Sequence, residues 1–151
     1  MFKVKNILLP TDFSKTSLTA AEYAVELATE YKAKLHVLNV LEKTPPILAI
    51  RSLDLSREKI IASIDADAQS SLDECIKKIK KIKDVEIVPA IRKGIDYEEI
   101  IKYSKEKRID IIVIATHGRT GLLHTLLGSV AEKVIRYSKI PVLVTTPPSK
   151  S

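Results

Sequence analysis

The chain has 151 residues, 45% of them hydrophobic, no tryptophan, and a formal net charge of +6. That length suits one domain with a sizeable core, and the chain has no apolar stretch long enough to cross a bilayer as a helix. The opening MFKVKNILLP lacks the apolar core and small-residue cleavage site of a signal peptide, so a soluble cytoplasmic protein, with no membrane partner, is expected.

The chain reads as an alternation of strands and helices. Residues 4–9 (VKNILL) form a first strand broken by Pro10, and Thr11-Asp12-Phe13-Ser14 supplies capping residues for a helix whose apolar face runs Leu18, Ala21, Val25 and Ala28. Residues 35–41 make a second strand rich in Leu and Val. After an irregular stretch containing Pro45-Pro46, a long helix carries Ile60, Ile61, Ile64, Ala68, Leu72, Cys75, Ile79 and Ile82 at helical spacing. Cys75, the only cysteine, falls on that stripe and reads as a small core residue. The charge excess concentrates in the same helix as Lys77-Lys78-Ile79-Lys80-Lys81-Ile82-Lys83. No aromatic residue interleaves there to stack on a base, so the run reads as a solvated face, and no nucleic-acid partner is expected.

Residues 85–91 form a third strand, punctuated by Gly94. Asp96 with Glu99 then makes a candidate capping box for a helix through Ile100, Ile101 and Tyr103. The β-branched run 111–114 reads as a fourth strand buried on both faces, ending at Ala115. A helix follows to about Ser138, and residues 140–145, opening on Ile140 and closing on Thr145, are a fifth and last strand. The tail 147–151 reads as disordered. This alternation predicts an α/β fold, an open parallel sheet with helices on both faces and right-handed crossovers.

Three of the four glycines, Gly118, Gly121 and Gly128, fall in the single connection after the fourth strand. Glycine lets backbone N–H groups turn toward a common point, and a helix beginning at Ser129 adds the positive end of its macrodipole. The physical reading is an anion cradle suited to phosphate. A purely structural alternative stands beside it, in which Ser129 with Glu132 forms a capping box and Gly118 and Gly121 only make turns. Ligands in such sheets collect at the carboxyl ends of strands where strand order reverses, so Thr11-Asp12 and the glycine connection are expected to face one another. Two nucleotide signatures are absent. The first turn, LLPTDFS, has no glycine, which rules out the dinucleotide fingerprint there, and no G-x-x-x-x-G-K-[ST] occurs.

From its first strand to its last, the chain resembles the universal stress proteins. The resemblance rests on ILLPTDFS, on Leu35-His36-Val37, on Lys93-Gly94, and above all on ATHGRTGLLHTLLGSVAEKVIRYSKIPVLV. The nucleotide-binding branch of that family carries Gly, two residues, Gly, nine residues, then Gly-Ser or Gly-Thr. Here Gly118 is followed after nine residues by Gly128-Ser129, and Ala115 stands where the first glycine would be.

The resemblance implies a Rossmann-like domain over residues 1–146 with a five-stranded sheet of order 3-2-1-4-5, binding ATP, or ADP or AMP, with Mg²⁺ or Mn²⁺ held through the phosphates rather than by protein ligands. By matching positions, Asp12 holds the ribose hydroxyls, Pro10 and Thr11 shape the crevice floor, and Val37 lies beside the adenine. Ala115, Thr116, His117 and Gly118 line the phosphate loop with Arg119 as a nearby charge partner. Gly128, Ser129 and Val130 bind phosphate oxygens. His36 and His124 read as structural, and no catalytic base is evident from spacing. The resemblance also implies a homodimer, for which the apolar last strand, left at a sheet edge, supplies a surface. Three functions stay open: a nucleotide-dependent regulatory module, a nucleotide-independent interaction protein, and an enzyme that hydrolyses or activates ATP.

Overall fold

In the computed structural model, which describes residues 1–43, 54–116 and 127–146, the apolar runs become the strands of one parallel sheet. The elements in order are β1 (Asn6–Pro10), α1 (Lys15–Tyr31), β2 (Lys34–Leu41), α2 (Asp54–Ile82), β3 (Ile87–Lys93), α3 (Asp96–Glu106), β4 (Ile111–Ala115), α4 (Ser129–Tyr137) and β5 (Val142–Thr145). The sheet order is β3-β2-β1-β4-β5, as the resemblance implies, so the direction of winding reverses between β1 and β4. The tail 147–151 lies outside the described residues.

Because strand side chains alternate between faces, each central strand feeds two cores. Ile7 and Leu9 of β1, Leu35 and Val37 of β2 and Val113 of β4 pack against Ala21, Val25 and Ala28 of α1 and Leu72, Cys75 and Ile79 of α2. Leu8, Leu38, Ile112 and Ile114 face the other way, onto Ile100 and Tyr103 of α3 and Ala131 and Val134 of α4. Burial on both faces explains why the central strands read as continuous apolar runs. The apolar faces expected of α1 and of the second half of α2 are seen, while Ile60, Ile61 and Ile64 are only half-buried and Ile82 is exposed at the end of α2, one helical turn past buried Ile79. Cys75 is buried in the core, and that burial raises its thiol pKa, so it stays protonated. Lys77, Lys78, Lys80, Lys81 and Lys83 are all exposed around Ile79.

Several boundaries differ from expectation: β1 begins at Asn6, β3 runs Ile87–Lys93 and β5 begins at Val142. Pro10 does not break β1 but completes it, paired with Leu38. Proline has no N–H to donate, and β1 pairs with β4 only at Ile7↔Ile111 and Leu8↔Ile112, so none is required of it on that side. Asp96 does not cap α3: the N-cap is Ile95, without a side-chain hydrogen bond, and Asp96 Oδ1 instead accepts from the Tyr97 N–H. Glu99 packs against Gly94, whose φ of +154° no L-residue adopts comfortably and where an added Cβ would lie 2.7 Å from Glu99 Oε1.

His36 is structural, as expected. It is buried on β2, with Nδ1 2.7 Å from the Tyr103 hydroxyl and Nε2 3.1 Å from Asn6 Oδ1. Asn6 Oδ1 can only accept, so Nε2 carries the proton and the tyrosine donates to Nδ1. Burial, with Lys107 and Lys34 adding repulsion and Glu86 opposing, lowers the His36 pKa from the ordinary 6.5. Lowering favours the neutral ring, so its contribution to stability is full above pH 6.5 and is lost as the pH falls toward the folded-state value, because the unfolded chain takes up the proton first. Thermal melts from pH 7.5 to pH 5 are expected to show the advantage of the wild type over His36→Gln shrinking as pH drops. A constant gap would remove His36 from the pH response.

Candidate functional site

The opening between β1 and β4 defines the site. Their pairing stops at Leu8 and Ile112, while β1 stays paired with β2 as far as Pro10↔Leu38 and β4 with β5 as far as Ala115↔Thr145. The ladder between the two middle strands therefore ends before their carboxyl ends, at the reversal point where open sheets of this kind bind ligands.

One wall is the turn after β1, held by a buried network. The Thr11 N–H donates to the Leu38 carbonyl (2.9 Å), and the Asn39 Nδ2 donates to the Thr11 carbonyl (2.8 Å). Thr11 Oγ1 accepts from the Phe13 N–H (3.0 Å) and lies 2.9 Å from Ser17 Oγ. Because the single Ser17 hydroxyl proton goes to the Ser14 carbonyl at 3.0 Å, the Thr11 hydroxyl is the donor to Ser17. Ser14, not Asp12, caps α1, its side chain accepting from the Ser17 N–H (3.0 Å). Asp12 Oδ1 accepts from the Ser14 N–H (3.0 Å), and the half-buried carboxylate sits on the turn before the helix. Phe13 takes a left-handed φ of +66°, a conformation that bulky residues rarely adopt. Its ring packs on the first core, which offsets that cost.

The facing wall is built by β4 and α4. Ala115 and Thr116 are buried, the Thr116 N–H donating to the Thr145 carbonyl (2.8 Å). The Thr116 carbonyl in turn accepts from the Gly128 N–H at 2.7 Å, so the long connection leaves and returns at one point. α4 begins at Ser129, as expected, with Gly128 as N-cap, its carbonyl accepting from the Glu132 N–H (2.9 Å). The alternative of a capping box between Ser129 and Glu132 is not realised: Ser129 is the first helical residue, and Glu132 pairs with Arg136. The N–H groups of Ser129, Val130 and Ala131 thus have no intrahelical acceptor, the usual state of a first turn. Ser129 is exposed and Val130 half-buried against the second core.

Of the other residues expected here, His117, Gly118 and Arg119 lie outside the described residues, as do Gly121 and His124. Val37 is fully buried, paired with Leu9 and Pro89 below the strand ends, and belongs to the core rather than to the crevice. At the end of β2 the sequence reading missed Asn39. A lone amide in the run KLHVLNVL was a visible signal, since a buried polar side chain needs a partner. Near the carboxyl ends of β1 and β4 the described residues include the Asp12 carboxylate, the hydroxyls of Thr11 and Thr116, and the N-terminus of α4. Among them no group of three or more His, Cys, Asp or Glu is placed to hold a metal ion.

The sheet order, reversing between β1 and β4 with helices on both faces, defines a doubly wound α/β domain. The sequence pattern of the universal stress protein family matches residues 3–146, and the chain belongs to that family. It is 36% identical over 149 residues to the universal stress protein MJ0531 of Methanocaldococcus jannaschii, covering 97% of this chain and 84% of that one. MJ0577 of the same organism is 31% identical over 156 residues, covering 93% of each chain. The solved structure of MJ0577 superposes with a TM-score of 0.81 over 97% of this chain and 98% of its own, at 30% identity. A universal stress protein from Archaeoglobus fulgidus, solved in complex with dAMP, has a TM-score of 0.64 at 19% identity over 95% of this chain and 98% of its own, a likeness of fold.

Proposed function

We propose that this protein is a nucleotide-dependent regulatory module of the stress response, acting in the cytoplasm, which binds ATP in the β1–β4 crevice and hydrolyses it slowly or not at all. The observation that carries the reading is the start of α4, where the N-cap is a glycine, which has no side chain to cap the first-turn N–H groups, beyond the end of the β1–β4 pairing. A fold relative described in complex with dAMP adds support for an adenine nucleotide. Asp12 takes the ribose hydroxyls, with Pro10 and Thr11 as floor. Ala115, Thr116, His117 and Gly118 follow the phosphates, Arg119 adds charge, and Gly128, Ser129 and Val130 bind phosphate oxygens. Ala115 adds one methyl where the family pattern has glycine, and a small residue keeps the backbone approachable there. Mg²⁺ or Mn²⁺ enters with the phosphates, on their oxygens and water. ADP and AMP fit the same cradle, because backbone amides count phosphates poorly. Mass spectrometry of small molecules released by denaturing the purified protein is expected to find an adenine nucleotide, and calorimetry of the stripped protein to show ATP binding. A stripped protein that binds no nucleotide overturns the reading in favour of a nucleotide-independent interaction protein, and brisk turnover by the purified chain in favour of an enzyme.

The protein is also proposed to form a homodimer through β5. That strand ends the sheet, with Val142, Leu143 and Val144 only half-buried. Bonds from the Pro141 and Thr145 carbonyls to the Ile112 and Thr116 N–H groups point toward β4. Alternation then turns the backbone groups of Val142 and Val144 to the open edge, a surface that pairs readily with another strand. Sedimentation at micromolar concentration is expected to give a dimer for the wild type and a monomer for Val144→Pro, which lacks the edge donor but keeps the β4 bonds. A monomeric wild type would dispose of this interface.

A further inference from the structure

In a parallel sheet each crossover helix runs opposite to the strands, so helix ends and strand beginnings gather at one end of the domain, away from the crevice. In this chain that end is basic. Lys3 and Lys5 lead into β1, and Lys32 and Lys34 carry the chain from α1 into β2, all four exposed. Lys80, Lys81 and Lys83 close α2, and Lys107 and Arg108 follow α3, again all exposed. Backbone bonds hold these segments side by side. The Lys34 N–H donates to the Lys5 carbonyl (2.9 Å), the Leu35 N–H to the Glu86 carbonyl (2.8 Å), and Asn6 Nδ2 to the Arg108 carbonyl (3.5 Å). Several carboxylates of this end are engaged: Asp110 accepts from the Lys5 and Asn6 N–H groups (2.8 and 2.9 Å), Glu106 pairs with Arg92 (3.3 Å), and Glu86 lies 3.8 Å from Lys34. Glu30 and Asp84 add two more, fewer than the cations around them.

Helix polarity accounts for only part of this charge. Lys80 and Lys81, in the last turn of α2, suit the negative end of its macrodipole, but Lys3, Lys5 and Lys34 precede or open strands, which carry little net dipole. Lys32 and Arg108 take left-handed φ angles of +53° and +52° at helix ends where glycine is the usual residue, so each position holds a cation against the preference of the backbone. The same end exposes apolar side chains. Phe2 stands beside Lys3, Tyr31 beside Lys32, and Ile82 between Lys81 and Lys83, at 56%, 49% and 49% exposure. Val4, buried in the first core to which Ala33 and Ile79 also belong, keeps the leading segment at this end. We propose that the amino-terminal end of the sheet is a docking surface for an anionic lipid bilayer, the lysines meeting the headgroups while Phe2, Tyr31 and Ile82 enter the interfacial layer. Stable attachment of this kind takes two signals, a basic patch and an apolar insert, and both are present. A nucleic-acid backbone would use the charge and leave the apolar side chains idle, and its phosphates favour the arginine fork over the lysines that dominate here. Among the described residues no helix is long and apolar enough to cross a membrane, but attachment from one side requires none. The crevice lies at the opposite end, so this proposal is independent of the nucleotide reading.

Flotation of the full chain with vesicles tests it. Vesicles of phosphatidylcholine mixed with phosphatidylglycerol are expected to carry the protein at low salt, vesicles of phosphatidylcholine alone to leave it behind, and about 1 M salt, where the Debye length is about 3 Å, to release it. Replacing Lys80, Lys81 and Lys83 together by Gln is expected to weaken binding roughly 100-fold, at about fivefold for each lysine near the surface. The same change at Lys15, Lys43 and Lys59, exposed near the carboxyl ends of the strands, removes as much charge and is expected to cost about threefold or less. Phe2→Ser is expected to weaken binding about 10-fold by withdrawing the apolar insert. As a readout that needs no variant, hydrogen exchange of the wild type is expected to slow at residues 80–84 with anionic vesicles and to stay unchanged at 129–132. Wild-type protein left behind by anionic vesicles at low salt overturns the proposal, as does equal loss in the two triple variants, which would mark net charge alone, or slowed exchange at 129–132 instead of 80–84. Duplex DNA held more tightly than the vesicles, with no loss in Phe2→Ser, overturns it in favour of a nucleic acid.

Discussion

Asp12→Ala is expected to weaken ATP binding about 10- to 100-fold while leaving the protein folded, since hydrogen bonds to a charged group contribute about 1.5–3 kcal/mol each. A carboxylate accepting from two vicinal hydroxyls is replaced by a methyl group, and neither hydroxyl recovers more than water offers. The fold tolerates the change because Ser14, not Asp12, caps α1, and because Thr11 is held independently through Leu38, Asn39 and Ser17. The Ser14 N–H loses its acceptor, at a cost of about 1 kcal/mol or less at a half-buried position. Asp12→Asn, which keeps an acceptor for Ser14 but removes the charge, is expected to bind with intermediate affinity. Calorimetry with a thermal melt of each variant checks both points. Unchanged ATP affinity in Asp12→Ala would end the assignment of this residue to the ribose.

Leu8→Ala is expected to have the largest effect on stability, about 2–5 kcal/mol, the range for removing a large buried side chain from a core. Leu8 has no exposed surface, lies on the central strand between His36 and Ile112, and packs in the second core with Leu38 and Ile112. Strands hydrogen-bonded on both sides cannot collapse inward to close the gap, so the loss should fall toward the upper part of that range. At about 2–4 °C per kcal/mol for a domain of this size, the melting temperature falls by roughly 5–20 °C. Ile82→Ala, at a position 49% exposed, serves as a control expected to change stability by about 0.5 kcal/mol or less. Leu8 is also the last residue of β1 paired with β4, directly below the crevice. A ligand bound only by the folded state should therefore restore part of the loss by mass action. Melts of Leu8→Ala with and without saturating ATP measure this, and a Leu8→Ala melting temperature within 2 °C of the wild type would contradict the packing described for the second core.

What could be read before any coordinates follows from how local each signal is. Period-3.6 stripes placed α1 and α2, because amphipathicity belongs to consecutive residues. The β-branched run of β4 announced a strand buried on both faces. Strand order came from the family resemblance alone, since periodicity carries no information about which strands are neighbours. The start of α3 was misread by one residue at Asp96, which is the first helical residue and not the cap, whereas α4 begins at Ser129 as the sequence indicates.

The amino-acid sequence by itself therefore determined the inventory of strands and helices, the two-faced burial of the central strands and the residue types at the strand ends, all of which depend on near neighbours in the chain. Only the tertiary structure decided which of those residues meet. It withdrew Val37 into the core, separated β1 from β4 above Leu8, and brought Asn39 to the Thr11 carbonyl across 28 positions of sequence. Those outcomes depend on strand register and on competition for individual carbonyls, quantities that exist only once distant segments are side by side.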